Sequence, residues 1–196
     1  MIIYLVRHGQ SVANVEKRSA GHLDTPLTQE GKHQAQKLAQ RFKQINDFEI
    51  IYTSDLQRAY DTAKAIYEFH NDKEFIVDER IREKNFGELE NISFETAKLK
   101  YGGLPISWDV KGGDSFETHL KRVEEFVVEI LEKHKNCVIV NHGITIKMLL
   151  YLFKGFESKE ELFKIKSGNT AVYKLELQEE EVKIHLHNCI KHLEEI

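Results

Sequence analysis

Arginine and histidine side chains recur at the points where predicted strands end. Arg7-His8-Gly9 follows the apolar run 2–6, and His142-Gly143 follows the run 138–141 in the same arrangement. Arg58 lies near the start of the helix that follows a second strand, and Glu83 comes after a third. A histidine at such a position faces a cleft, and an arginine beside it can bind an anion through two parallel N–H groups. The pattern indicates an anion-binding cleft at one edge of a sheet.

Strand and helix signals alternate along the chain and would position these side chains. Apolar, β-branched runs predict strands at 2–6, 50–53, 75–77 and 138–141, and a closing hairpin at 171–177 and 182–187 around a solvated turn at 178–181. Apolar residues at helical spacing predict four helices. One begins after Thr28, one begins near Ser54-Asp55, which could cap its N-terminus, one covers about 115–134, and one begins after Gly143. We therefore predict an α/β fold, three-layer α/β/α, with a mostly parallel mixed sheet flanked by helices.

One segment breaks this alternation. Residues 84–113 mix aromatic side chains with lysine, glutamate and glycine, and they form a connection too long for a simple loop. We predict a single domain over 1–196 in which 84–113 is a partly helical cap over the cleft. Phe86, Tyr101 and Trp108 either line an apolar wall of the cleft or pack the cap itself.

Composition is that of an ordinary soluble protein and argues against several other classes. The chain has 196 residues and a net charge of -4, which gives no global reason to expect nucleic acid or an anionic membrane as a partner. Cys137 and Cys189 are too few for a disulfide framework, and no run approaches the ~20 apolar residues of a membrane span. We expect a cytoplasmic protein. His185 and His187 alternate on a strand, which is weak evidence for a metal, so no metal site is predicted.

The order of the motifs resembles the histidine phosphatase superfamily, which includes cofactor-dependent phosphoglycerate mutase. The resemblance covers nearly the whole chain. Its blocks are Arg7-His8-Gly9 with Ser11 and Asn14, Asp24–Thr28 with Gly31, Ser54–Leu56 with Arg58-Ala59 and Thr62-Ala63, Arg82-Glu83 with Phe86-Gly87, Gly112–Ser115 with Arg122-Val123, and His142-Gly143. Each block is weak alone, but the set in this order is specific. One departure is Asn91, where the family usually has glycine, and this change is expected to alter the backbone of the cap.

The resemblance implies a role for each candidate catalytic residue. His8 would be the nucleophile that forms a covalent phosphohistidine, and Arg7, Arg58 and His142 would hold the phosphoryl oxygens. Glu83 would protonate the leaving oxygen and later help to deprotonate the attacking water. No metal or other cofactor is implied.

A second set of residues would bind the substrate. It consists of Asn14, Gln10, Gly143 and His22, with Gln10 either at the mouth of the pocket or in a surface loop. Asp24 and Thr28 more plausibly fix a turn and cap a helix than contact a ligand.

Three functions remain open at this point. The first is a metal-independent phosphomonoesterase for small phosphorylated metabolites, and the second is a phosphoglycerate mutase. In the mutases Arg, His and Tyr closely follow the acid, whereas Lys84-Asn85-Phe86 follows Glu83 here, although Lys84 and Lys111 could still bind a substrate carboxylate. The third is a phospho-ligand-binding regulatory domain with little turnover. The natural substrate and homodimer formation are left open.

Overall fold

A six-stranded mixed sheet organises the computed structural model, which describes residues 1–155, 159–179 and 181–194. The strands are β1 (Ile2–Arg7), β2 (Ile50–Thr53), β3 (Glu74–Val77), β4 (Cys137–Asn141), β5 (Val172–Leu177) and β6 (Val182–Cys189). Their spatial order is β3-β2-β4-β1-β5-β6. The first four strands pair in parallel, and β5 and β6 add antiparallel neighbours beyond β1. The predicted mixed, mostly parallel sheet is confirmed.

Seven α-helices are assigned within the described ranges. They are α1 (Val12–Val15), α2 (Gln29–Phe42), α3 (Gln57–Tyr67), α4 (Phe94–Tyr101), α5 (Phe116–Lys133), α6 (Gly143–Lys154) and α7 (Lys159–Lys164). Hydroxyl caps set two of the starts, because Thr28 accepts from the Gly31 N–H at 2.9 Å and Ser115 accepts from the Thr118 N–H at 3.1 Å. None of the helices in the described part of the chain is long and apolar enough to cross a bilayer.

Successive residues of each central strand face opposite sides of the sheet and build two cores. In β1, Ile3 and Leu5 join the core shared with α5 and α6, whereas Tyr4 and Val6 join the core shared with α2 and α3. All four side chains are almost completely buried. Burial of each aliphatic side chain contributes about 1.5–3 kcal/mol, so both faces lock β1 in one register.

The start of α3 differs from the prediction. Ser54 and Asp55 do not cap this helix: Leu56 stands at the N-cap position without a side-chain bond. The Gln57 N–H instead donates to the Asp24 carboxylate at 2.7 Å. Asp55 forms a forked ion pair with Arg82, in which the Arg82 Nε–Asp55 Oδ1 distance is 2.8 Å. A carboxylate from a distant loop thus replaces the local cap and fixes α3 against that loop.

The segment 84–113, called the cap below, has its own small core. Two 3₁₀ turns, Gly87–Leu89 and Pro105–Ser107, flank α4, and the aromatic Phe86 and Trp108 pack against Leu89, Ala97 and Val110. Trp108 and Tyr101 pack within the cap, with ring centroids 6.2 Å apart. The hypothesis that these two rings line the cleft is therefore wrong.

Two polar residues of the cap also behave differently from expectation. Lys84 is fully buried, and its Nζ donates to the carbonyl oxygens of Ile106, at 3.3 Å, and Trp108. It is consequently not available to a substrate carboxylate. Asn91 adopts φ 66°, the left-handed conformation that glycine usually supplies. Asparagine tolerates this region better than other residues with a Cβ, so the backbone turn is retained despite the change in residue type.

The closing hairpin contains the two histidines considered as a weak metal pair. His185 lies 2.7 Å from the Glu176 carboxylate, and His187 packs edge-on against Tyr173. Of the predicted turn 178–181, Glu180 lies outside the described residues. Within the described residues, no group of three or more His, Cys, Asp or Glu side chains is arranged to hold a metal ion.

Candidate active site

A cavity of about 250 Å³ opens at the carboxyl ends of β1, β2 and β4. The parallel pairing of these strands brings their ends to one edge of the sheet. The cavity is lined by Arg7, His8, Ser11, Asn14, Arg18, Ala20, Gly21, Arg58, Glu83, Phe86, Phe94, Pro105, Gly143, Ile144, Lys147, Ile165 and Ser167. Residues that are far apart in the sequence therefore share one wall, as expected for a ligand site in an α/β sheet.

His8 is held in one tautomer by the backbone. Its Nδ1 lies 2.6 Å from the Gly9 carbonyl oxygen, which can only accept a hydrogen bond, so the proton is assigned to Nδ1. The Nε2 lone pair is then free to attack an electrophile. Burial, and next the charges of Arg58 and Arg7, lower the pKa of His8 well below 6.5. The ring is neutral near pH 7, as a nucleophile must be.

His142 lies directly beside this ring. The two ring centroids are 5.2 Å apart, and His142 is fully buried at the start of α6. Burial and the nearby Arg58 lower the pKa of His142 well below 6.5. Both of its ring nitrogens and the Nε of Arg7 lack a hydrogen-bond partner among the described protein atoms. Buried polar groups are normally paired, so this cluster is suited to binding a polar ligand.

Backbone carbonyl groups orient the two arginines. Arg58 Nη1 donates to the Leu23 oxygen at 2.9 Å and Arg58 Nη2 donates to the Gly21 oxygen at 2.8 Å, while Arg7 Nη1 donates to the Ser167 oxygen. Burial lowers the pKa of Arg58 to about 10, so the guanidinium is still charged near pH 7. Each guanidinium is fixed on one side by neutral acceptors, and its remaining N–H groups can bind an anion.

Glu83 lies against the N-terminus of α6. Its Oε1 accepts from the N–H groups of Lys84 at 3.0 Å, Ile144 at 3.2 Å and Thr145 at 3.1 Å, and its Oε2 accepts from the Ile144 N–H at 3.1 Å. Unpaired N–H groups at a helix start favour such a carboxylate. This anchoring places an acid–base group at the cavity wall close to Arg7.

Asn14 and Gly143, two of the four predicted substrate-binding residues, line the cavity. The carboxamide oxygen of Asn14 accepts from Ser11 N–H and from Asn169 Nδ2, both at 3.1 Å, so its NH₂ group is the part that can donate to a ligand. Gly143 is the first residue of α6, and the methyl group of an alanine at this position would lie 3.5 Å from Arg7 Nε.

Gln10 and His22 are not among the residues that line the cavity. The Gln10 side chain accepts from the Thr28 hydroxyl at 2.9 Å and fastens the loop to the start of α2. The His22 ring lies 2.9 Å from the Glu83 carbonyl oxygen and supports the backbone behind the acid. Both side chains satisfy polar groups from other segments of the chain, which their place in the sequence does not reveal.

Several residues that line the cavity were not predicted from the sequence. Lys147 is one turn beyond Gly143 on α6, so helical spacing from a predicted site residue could have identified it. Phe94 and Pro105 reach the cavity from the cap, and Arg18 comes from the loop after α1. The folding of the cap and loop determines these contacts, and neither segment has a periodic pattern.

Comparisons with known proteins agree with this geometry. Residues 3–190 match the histidine phosphatase superfamily (branch 1). A protein of Hydrogenobacter thermophilus with the provisional name phosphoserine phosphatase 2 is 33% identical over 202 residues, which cover 99% of this chain and 98% of that protein. Phosphoglycerate mutase-like protein 4 of Arabidopsis thaliana is 30% identical over 98% of this chain and 87% of its own length.

Solved structures show the same fold. A mycobacterial glucosyl-3-phosphoglycerate phosphatase superposes with a TM-score of 0.85 at 24% identity, covering 96% of this chain and 99% of that one. The α-ribazole phosphatase of Shigella flexneri gives a TM-score of 0.85 at 24% identity, covering 97% of both chains. With the family match over residues 3–190, these findings establish that the chain belongs to the histidine phosphatase superfamily.

Proposed function

We propose that this protein is a metal-independent phosphomonoesterase that hydrolyses small phosphorylated metabolites through a phosphohistidine on His8. The observation that carries the proposal is the state of His8: a buried, neutral ring with its Nδ1 proton bound to the Gly9 carbonyl, between Arg7, Arg58 and His142. A neutral nucleophile surrounded by fixed cationic and N–H donors is what phosphoryl transfer requires.

In the first step, the Nε2 lone pair of His8 attacks phosphorus while the bond to the leaving oxygen breaks. Charge on the three non-bridging oxygens is stabilised by the guanidinium groups of Arg7 and Arg58 and by N–H donors such as His142 and the Asn14 amide. Glu83 gives its proton to the leaving oxygen, so that the product departs as an alcohol.

In the second step, a water molecule replaces the alcohol. The Glu83 carboxylate takes a proton from the water as its oxygen bonds to phosphorus and the bond to His8 Nε2 breaks. Inorganic phosphate is released, His8 regains its lone pair, and Glu83 regains its proton. The positive charge needed for both steps comes from this chain's own arginines.

The cavity wall supports a small substrate with both apolar and charged parts. Phe86, Phe94 and Pro105 contribute apolar surface from the cap, while Arg18 and Lys147 add positively charged side chains to the cavity wall. A volume of about 250 Å³ lies slightly below the usual range for ligand pockets, which run from about 300 to 1,000 Å³. A metabolite of a few carbons with a second polar or anionic group suits this space.

Phosphoglycerate mutase activity is the second candidate, because a 33% identical relative from Gloeobacter violaceus carries the name 2,3-bisphosphoglycerate-dependent phosphoglycerate mutase 2. A mutase must hold a substrate carboxylate while the intermediate reorients. Of the two lysines considered for that task, Lys84 is buried in the cap and Lys111 is exposed outside the cavity wall. Neither of these two lysines supports the mutase alternative, and Arg18 and Lys147, which line the cavity, are the cations that would have to hold its carboxylate.

The proposal is tested by trapping the phosphoenzyme. Brief incubation with a ³²P-labelled phosphomonoester in excess EDTA should label wild-type protein with acid-labile, alkali-stable phosphate. His8→Ala should abolish the label, whereas His33→Ala, an exposed histidine of α2, should retain it. Label that persists in His8→Ala, or turnover that requires added Mg²⁺, would refute the mechanism.

The two activities are separated by product analysis. Incubation with 3-phosphoglycerate and 2,3-bisphosphoglycerate should release inorganic phosphate faster than it forms 2-phosphoglycerate. Isomerisation at a rate equal to hydrolysis would make the protein a mutase. A stable phosphoenzyme with negligible release of phosphate would instead support the regulatory-domain alternative.

The two cysteines also bear on where the protein works. Cys137 is buried in β4 and Cys189 is half-buried, and both are free thiols. Free thiols suit a reducing compartment, and we propose the cytoplasm. Burial raises the pKa of Cys137, which keeps this thiol protonated and unreactive.

A further inference from the structure

A third buried histidine lies behind the acid and has no place in the mechanism described above. His119, in the first turn of α5, is fully buried. Its Nε2 lies 3.2 Å from the Thr145 hydroxyl, while its Nδ1 has no hydrogen-bond partner among the described residues. Burying an imidazole with one unpaired nitrogen destabilises the fold, so an apolar side chain at this position would stabilise it more. A role in the active site would account for this cost.

The Thr145 hydroxyl connects His119 to Glu83. It lies 2.9 Å from the Arg82 carbonyl oxygen and 3.3 Å from Glu83 Oε1. A hydroxyl has one proton to donate, and both of these oxygens compete for it. If His119 Nε2 were an acceptor as well, it would draw this proton away from Glu83.

The tautomer of His119 follows from this arrangement. Burial, and next the charge of Arg122, lower the pKa of His119 well below 6.5, so the ring is neutral with one N–H. A proton on Nδ1 would leave a buried N–H without an acceptor, which is rarer in proteins than an unpaired acceptor. A proton on Nε2 donates to Thr145, whose single proton then goes to the Arg82 carbonyl oxygen, 2.9 Å away, or to Glu83 Oε1, 3.3 Å away.

The two oxygens of Glu83 consequently have unequal environments. Oε1 lies within reach of four donors, the N–H groups of Lys84, Ile144 and Thr145 and the Thr145 hydroxyl. Among the described residues, Oε2 has one such contact, from the Ile144 N–H. It lies 3.8 Å from the point where a Cβ added to Gly143 would stand, at the cavity wall. An oxygen already surrounded by donors is a poor site for a proton, so Oε2 is the oxygen better placed to exchange one.

We propose that His119 is a positioning residue for the general acid: through the Thr145 hydroxyl it keeps Glu83 Oε1 saturated with donors and leaves Oε2 as the oxygen that exchanges the proton. This inference rests on the proposed function, because it assumes that Glu83 is the acid. The Oε2–H bond breaks as the proton moves to the leaving oxygen, whose bond to phosphorus breaks at the same time. The same Oε2 later accepts a proton from water.

The test compares two phosphomonoesters that differ in their need for an acid. p-Nitrophenyl phosphate has a good leaving group, whereas glycerol 3-phosphate has a poor one. A general acid contributes roughly 10²–10⁴-fold, mostly with poor leaving groups. For His119→Leu we expect kcat on glycerol 3-phosphate to fall about 10-fold to 100-fold, with about twofold or less on p-nitrophenyl phosphate. His119→Gln keeps an N–H donor and should restore much of the loss.

Two further variants make the outcome independent of folding. Thr145→Val replaces the hydroxyl by a methyl group of similar size and should reproduce the selective loss if His119→Leu does not fold. His70→Leu is the matched control, because His70 is equally buried but its Nε2 lies 3.0 Å from the Phe42 carbonyl oxygen in the other core. It should lower stability and leave the ratio of the two substrates unchanged.

A double-mutant cycle with Glu83→Gln completes the test. Once the acid is removed, adding His119→Leu should cause no further loss on glycerol 3-phosphate. A loss that persists in this background, or an equal fall on both substrates, would overturn the inference. If His8→Ala leaves hydrolysis intact, the proposed function fails. If hydrolysis depends on His8 but His119→Leu leaves the ratio of the two kcat values unchanged, only the inference about His119 fails.

Discussion

Replacing Gly143 by alanine separates folding from phosphate binding. The new methyl group would lie 3.5 Å from Arg7 Nε, 3.6 Å from Arg7 Cζ and 3.8 Å from Glu83 Oε2, all ordinary van der Waals distances. Gly143 is the first residue of α6, and alanine has a higher helix propensity than glycine by up to about 1 kcal/mol in a helix interior. We therefore expect Gly143→Ala to fold with unchanged or slightly higher stability.

The same methyl group would occupy the space beside Arg7 Nε where a phosphoryl oxygen is proposed to bind. Loss of one charge-assisted hydrogen bond costs about 1.5–3 kcal/mol, which corresponds to about a 10-fold to 150-fold lower kcat/KM. The inhibition constant for inorganic phosphate should rise in parallel. Both quantities are measured with p-nitrophenyl phosphate, alongside the thermal midpoint from circular dichroism.

Gly168→Ala provides the matched control. A methyl group there would meet Ile190 at 3.4 Å and Asn188 at 3.7 Å, and Gly168 does not line the cavity. Its kcat/KM should stay within about twofold of wild type, well inside the loss expected from one such hydrogen bond. Wild-type activity in Gly143→Ala would refute the assignment of the phosphoryl site to this side of Arg7.

Three other outcomes follow from the structure. Gly31→Ala should lower the urea midpoint, because its methyl would overlap the Gln10 carbonyl oxygen and overpacking costs about 1–3 kcal/mol; an unchanged midpoint would contradict the close packing of these loops. Lys147→Met should raise KM for O-phosphoserine several-fold more than for O-phosphoethanolamine, which lacks the carboxylate; equal changes would exclude an anion-binding role. The free energy of unfolding should fall as pH drops below 6.5, because a buried histidine with a lowered pKa stays neutral when folded but gains a proton on unfolding. His119→Gln should reduce the slope of this free energy against pH by about 1.4 kcal/mol per pH unit. An unchanged slope would argue against a neutral His119 in the folded protein.

The central elements and the gathering of the main site residues could be predicted from sequence for a physical reason. Buried parallel strands have continuous apolar runs, and their carboxyl ends meet at one edge of the sheet. Arg7, His8, Arg58 and His142 follow directly from such runs or from the helix after one, so the sheet alone brings them together. Their chemical roles stay predictions until the variants are measured.

Residues in irregular segments could not be placed in this way. The direction of a side chain in a loop depends on which polar groups it satisfies, and those groups come from distant parts of the chain. Lys84 binds carbonyl oxygens more than twenty residues away, and His22 binds the Glu83 backbone. Asp24 caps a helix 33 residues later. These separations along the chain follow no regular spacing, so no sequence pattern could have predicted the contacts.

The central position of β1 has a consequence for biosynthesis. This strand is made first, yet it pairs with β4 at 137–141 and with β5 at 172–177. At 5–20 residues per second, a ribosome needs roughly 10–35 s to advance from β1 to the end of β5. Until β4 has emerged, the apolar segment Ile2–Val6 has no strand partner, so the nascent chain exposes an aggregation-prone edge for most of that interval. Circular permutants that begin after β3 would shorten this wait, since β4 and β1 would then emerge closer together in time.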